Sequence, residues 1–185
     1  MTGREAVAIA MSLFKDEPVV YATGFIARNA QAARRRPEDF YMIGSMGIAS
    51  SIAQGIALAK PRRKVIALDG DGAVLMNLGA LPTAGALNIK NFIHIVIDNG
   101  SYESTGGQPS FSRSVALERV ARSSGYRHAG CVSTPAALKK TLRRLLKSSG
   151  PSFLLVKVTN DKLPPEPRVI DEPEVITERF SRSIR

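Results

Sequence analysis

Apolar residues along this chain keep switching between two periods. Residues 3–14 place Val7, Ile9, Ala10, Leu13 and Phe14 on one side at helical spacing. Pro18 opens a short strand at 19–22 that ends at Thr23-Gly24. A helix over 28–35 stops before Pro37, because the residue ahead of a proline is pushed out of the helical region. A strand at 40–43 runs into Gly44-Ser45-Met46-Gly47. A helix of small residues over 48–59 follows and is stopped by Pro61. Further strands are predicted at 64–68, 92–97, 128–132 and 153–156. Between them lie a helical stretch around 77–87 interrupted by Pro82, a helix at 114–123, and a helix capped by Ser133 that runs to Lys147.

The strands at 64–68 and 92–97 are continuously apolar rather than alternating, as in parallel strands covered by helices on both faces. Helix and strand alternate throughout, which predicts a doubly wound α/β domain with a mostly parallel sheet. This domain is expected to cover residues 1–160. Residues 161–185, with four prolines and little core, read as an extended arm ending in a short helix near 174–183. One long segment, 99–112, holds five Ser or Thr and few apolar residues, and reads as a functional loop.

Composition narrows the function. The formal charge is +10, but the basic residues fall in scattered short runs such as Arg34-Arg35-Arg36, without an interleaved aromatic platform. That argues against nucleic acid and for attraction of an anionic small molecule. The single cysteine, Cys131, excludes an internal disulfide framework and reads as a buried structural thiol in a short apolar run. His94, inside a strand, reads as structural. No stretch has the length of a membrane span and no leader is visible, so cytoplasm is the expected location.

In a doubly wound sheet, ligands bind beyond the C-terminal ends of the strands. Four such ends carry distinctive residues: Thr23-Gly24, Gly44-Ser45-Met46-Gly47, Gly70-Asp71-Gly72 and Asp98-Asn99. Asp71 offers a carboxylate directly after a strand, Asn99 a carboxamide oxygen, and Ser101 a backbone carbonyl. These are oxygen ligands suited to a hard cation such as Mg²⁺ or Ca²⁺. Gly70 and Gly72 permit close backbone approach, and the amides of Gly72 and Ala73 are placed to donate to phosphate oxygens. Tyr102 and Glu103 lie just past this ligand set. Each motif alone also reads as a plain turn.

Gly70-Asp71-Gly72, followed after 25 residues by Asp98-Asn99, resembles the thiamine-diphosphate motif, which runs from Gly-Asp-Gly to Asn-Asn. Asp98 stands in place of the first Asn. Gly44-Ser45-Met46-Gly47-Ile48-Ala49 resembles that family's pyrimidine loop. The likeness extends over about residues 20–160. With Phe40-Tyr41-Met42-Ile43 and Ser104-Thr105-Gly106-Gly107-Gln108, it is similar above all to decarboxylases of sulfopyruvate and phosphonopyruvate. The resemblance implies thiamine diphosphate and Mg²⁺ as cofactors, with Asp71, Asn99 and Ser101 on the metal. Thr23, Gly24, Gly44, Ser45, Met46, Gly70, Gly72, Ala73 and Tyr102 are then expected on the rest of the cofactor. Gly44 would accept from the aminopyrimidine through its carbonyl, and Met46 would be the apolar wedge that bends the cofactor.

The family activates its cofactor with a glutamate from a separate pyrimidine-binding domain, and none of Glu5, Glu17, Glu38 or Glu103 is assigned that role. The resemblance therefore implies a pyrimidine-domain α subunit as partner, in a heterotetramer or larger heteromer. The implied reaction converts sulfopyruvate to sulfoacetaldehyde and CO₂. Phosphonopyruvate decarboxylation, acetohydroxyacid-synthase-like carboligation and an inactive cofactor-holding subunit are the alternatives. Ser104, Thr105 and Gln108 are candidates for the substrate mouth, and Arg28 for attraction of an anionic 2-oxoacid.

Overall fold

A computed structural model describes residues 1–160 and 163–185. Residues 161 and 162, the start of the expected arm, lie outside the described residues. The chain begins with α1 (Gly3–Met11), which opens on a capping box: Glu5 N donates to Thr2 Oγ1 (3.2 Å) and Thr2 N to the Glu5 carboxylate (2.9 Å). Then come β1 (Val19–Tyr21), α2 (Phe25–Ala33), β2 (Asp39–Tyr41), α3 (Ala49–Ala59), β3 (Val65–Gly70), α4 (Asp71–Met76), α5 (Ala80–Ala86) and β4 (Phe92–Asp98). The second half contains β5 (Ser101–Tyr102), β6 (Gln108–Pro109), α6 (Leu117–Ser123), β7 (His128–Val132), α7 (Pro135–Lys147), β8 (Ser152–Lys157) and α8 (Pro173–Ser183).

Six strands form one parallel sheet in the order β2-β1-β3-β4-β8-β7. Successive residues of β3 and β4 feed opposite layers. Ile66, Leu68, Ile93 and Ile95 pack under α1, α2, α7 and α8, while Val65, Ala67, Phe92 and Val96 pack under α3 to α6. This is the three-layer arrangement that continuous apolar strands require. In α3, Ala49, Ala53 and Ala57 recur every four residues and are fully buried, so the helix lies close on the sheet.

Several expectations are corrected. The second helix starts at Phe25, not residue 28, directly after Gly24 at φ 86°. Pro82 does not interrupt a helix. It is the third residue of α5, where the backbone N–H has no intrahelical partner anyway. The cap of α7 is Thr134, whose hydroxyl accepts from Ala137 N at 3.3 Å, rather than Ser133. The segment 99–112 is not structureless: β5 and β6 pair as a small hairpin, and short 3₁₀ turns occupy Glu103–Thr105 and Phe111–Arg113. Cys131 is exposed, not buried, because β7 is an edge strand with a neighbour on one side only.

Candidate active site

Strand order reverses between β1 and β3: from β1 the chain moves outward to β2, and from β3 outward in the opposite direction to β4. At such a reversal the connections diverge and leave a crevice at the strand ends. Here the crevice is a cleft lined by Thr23 after β1, Gly70, Asp71 and Gly72 after β3, and Asn99, Ser101 and Tyr102 after β4. Met46, Glu103 and Ser104 also line it. The fold thus gathers residues that are up to 155 positions apart in the chain (Gly3 to Val158).

Asp71 is 3% exposed and sits in the first turn of α4. Burial pushes its carboxyl above the ordinary value, and the charge of Asp98 adds to this. The hydroxyls of Ser110 and Ser112 oppose it by hydrogen bonding. Both hydroxyls lie on the same oxygen, Asp71 Oδ2: Ser110 in a very short contact and Ser112 at 3.0 Å. Ser112 Oγ is also 2.8 Å from Asp98 Oδ1 and 2.8 Å from Ser110 Oγ. Two hydroxyl protons cannot serve these four close oxygen pairs. The cluster is therefore rich in lone pairs and short of protons, and Asp71 Oδ1 is outside the serine contacts. That donor chemistry fits a hard divalent cation at Asp71.

Asp98, the residue that departs from the motif, holds the loop. Its Oδ1 accepts from Gly100 N (3.0 Å), its Oδ2 from Lys157 Nζ (2.5 Å), and its backbone carbonyl from Val158 N (2.9 Å). Asn99 Oδ1 accepts from Ser101 N at 3.0 Å, and its Nδ2 donates to Glu103 at 2.8 Å. The carboxamide is thereby fixed with its oxygen turned towards its own loop. Gly72 is required by space: a Cβ there would lie 2.5 Å from Tyr102 Cε1 and 3.2 Å from Met46 Cε. The Tyr102 ring thus lies against bare backbone, and Met46 reaches the same spot while remaining 37% exposed.

Not every expected residue lines the cleft. Ala73 is buried on the inner face of α4. Gly44 and Ser45 lie in the exposed loop beside it. That loop is pinned where Asn77 Nδ2 donates to the Gly47 carbonyl at 2.9 Å. Gly24 faces a neighbouring cavity together with Thr105. Gln108 lines neither; its side chain donates to the Thr105 carbonyl at 3.2 Å. Sequence reasoning missed Asn29, which lines the cleft one turn beyond Phe25, a position its four-residue spacing could have flagged. It also missed Ser110, Ser112 and Lys157, which no spacing signals. His94 is buried as expected, with Nε2 3.2 Å from Asp69 and its ring edge-on to Phe153.

A parallel sheet that reverses above a Gly-Asp-Gly turn and an Asn-bearing loop defines a cofactor-binding α/β domain of the doubly wound class. The profile of the thiamine pyrophosphate enzyme C-terminal TPP-binding domain matches residues 22–156, and the chain belongs to this family. The chain is 39% identical over 184 residues to the sulfopyruvate decarboxylase subunit beta of Methanothermobacter thermautotrophicus, covering 98% of this chain and 94% of that protein. It is 37% identical over 166 residues to the phosphonopyruvate decarboxylase of Streptomyces viridochromogenes, covering 90% of this chain but only 42% of that protein. Benzoylformate decarboxylase from Polynucleobacter necessarius shares the fold, with TM-score 0.74 and 20% identity over 89% of this chain and 34% of that one. No helix of the described residues is long and apolar enough to cross a membrane.

Proposed function

We propose that this chain is the cofactor-diphosphate-binding subunit of a decarboxylase acting on a three-carbon 2-oxoacid with a terminal oxyanion group, sulfopyruvate first. Residues 1–160 form its diphosphate-binding domain and 161–185 an arm. The observation that carries this reading is the single cleft that brings Asp71, Gly72, Asn99 and Tyr102 together with Met46. Similarity over nearly its whole length to a sulfopyruvate decarboxylase subunit beta supports a site shared with a pyrimidine-domain partner.

In this reading Asp71, Asn99 and the Ser101 carbonyl hold Mg²⁺, and the backbone amide of Gly72 donates to the diphosphate. Met46 supports the cofactor's bend. When bound, thiamine diphosphate supplies the electron sink that lets a 2-oxoacid lose CO₂. This chain's residues bind and orient. Ser104 and Thr105 shape the mouth, and Asp98, Ser112 and Lys157 hold the ligand loop in place. A pyrimidine-domain partner brings the activating carboxylate and completes the site.

Calorimetric titration of thiamine diphosphate into the reconstituted complex with Mg²⁺ tests the assignment. Asp71→Ala is expected to lower affinity by roughly 100-fold or more, since changes even behind a metal ligand cost 10–100-fold. Asn99→Ala should cost less, because it removes no charge. Wild-type affinity in Asp71→Ala would sink the reading.

A further inference from the structure

A second cavity opens beside the cofactor cleft and shares Thr23, Met46 and Ser104 with it. One wall is α2, and the other is the C-terminal segment 168–173. These shared residues form the neck between the two cavities, and a Cβ on Gly24 beside them would lie 3.2 Å from Ser104 Oγ. Two arginines line the second cavity, Arg28 from α2 and Arg168 from the segment opposite.

Among the described residues, no carboxylate pairs with either arginine. Arg28 instead lies over the Phe25 ring, 5.3 Å from its centroid. Stacking of this kind leaves the in-plane N–H donors of a guanidinium free. Two carboxylates also face this cavity. Asp171 is already held by two cations: Arg35, whose hydrogen bond is the main cause of its lowered carboxyl pKa, and Arg179 at 2.7 Å. Glu172 is exposed at the start of α8.

The wall bearing Arg168 is tied to the helix bearing Arg28. Ile170 N donates to Gln31 Oε1 at 3.4 Å, and Gln31 lies one turn beyond Arg28 on the same face of α2. Asp171 is tied to Arg35 just past the end of that helix. The two arginines are thus carried on elements locked together, one neck away from the cleft.

We propose that Arg28 and Arg168 form a two-pronged subsite for the terminal tetrahedral oxyanion of the substrate, sulfonate or phosphonate. The C-terminal segment is its outer wall, and the 2-oxo end points through the neck to the cofactor. Guanidinium forks suit a multi-oxygen anion by parallel N–H donors, where scattered surface charge only raises encounter rate. The assignment rests on the decarboxylase reading above and adds which residues select the substrate.

The test measures kcat/KM of the reconstituted complex for sulfopyruvate, phosphonopyruvate and pyruvate in wild type, Arg28→Gln and Arg168→Gln. Thiamine diphosphate affinity is measured in parallel as a check on folding. Each substitution should lower the ratio of oxyanion substrate to pyruvate by roughly 10- to 100-fold, as expected for loss of a charged hydrogen bond. The loss should fall mainly on KM, with cofactor affinity retained. Arg28→Lys should restore only part, since it returns the charge without the fork. Unchanged ratios in variants of an enzyme that prefers an oxyanion substrate overturn the subsite alone. Equal loss on pyruvate also overturns it. A wild-type preference for pyruvate overturns the substrate reading and the subsite with it.

Discussion

Ser112 shows how much chemistry can rest on a residue with no motif. Its hydroxyl stands between two buried carboxylates, 3.0 Å from Asp71 and 2.8 Å from Asp98. Ser112→Ala removes one of the few protons shared by that cluster and leaves buried acceptors unmet. It is expected to destabilise the cofactor-free protein by about 1–3 kcal/mol. Urea unfolding measures this, and an unchanged midpoint would show that the hydroxyl bears no load. Asp71 and Asn99 were legible because each follows a strand directly, a position that topology makes functional. Ser110 and Ser112 were not, because 39 and 41 residues of chain separate them from Asp71. The run Arg34-Arg35-Arg36 gives the opposite lesson. As a sequence it reads as one of several scattered basic runs. In the fold, Arg34 donates to the Phe14 carbonyl (3.2 Å), Arg35 pairs with Asp171, and Arg36 forms a buried pair with Asp39 at 2.6 Å.

Between elements, the contact of α5 with α6 turns on one glycine. A Cβ at Gly85 would sit 1.6 Å from the Ser124 carbonyl oxygen. Helix propensity alone favours alanine over glycine here by about 1 kcal/mol. The clash must push α5 from α6, and overpacking of this kind costs about 1–3 kcal/mol. Gly85→Ala is therefore expected to lower Tm. A rise would mean that propensity wins and the helices part freely. Strand existence was legible, since buried parallel strands announce themselves as apolar runs. Helix ends were less so. The start of α2 was missed because Gly24 at φ 86° turns the chain without a side-chain cap. Pro82 was misread because a proline breaks a helix in its interior but not in its first turn.

At the scale of the molecule, the cleft gathers the residues proposed to hold a diphosphate and a cation, and several large apolar side chains stand exposed: Ile43, Met46, Ile48 and Met76 are 37–59% exposed. A partner subunit that completes the site would cover them. Purified alone with thiamine diphosphate and Mg²⁺, the chain is expected to consume no 2-oxoacid, and addition of a pyrimidine-domain partner should restore turnover. Robust decarboxylation by partner-free protein would refute the split site. The sequence by itself determined the class of fold and the family, and it singled out the residues proposed to hold the cofactor. Those depend on local facts: apolar runs, strand-end glycines, and residue types at fixed spacing. Only the tertiary structure decided which strand ends adjoin, that Cys131 falls on an open edge, that Ser112 bridges two carboxylates, and that Arg28 and Arg168 line one cavity. Each depends on the sheet order and on long-range packing, which bring together residues whose separation along the chain carries no signal of their contact.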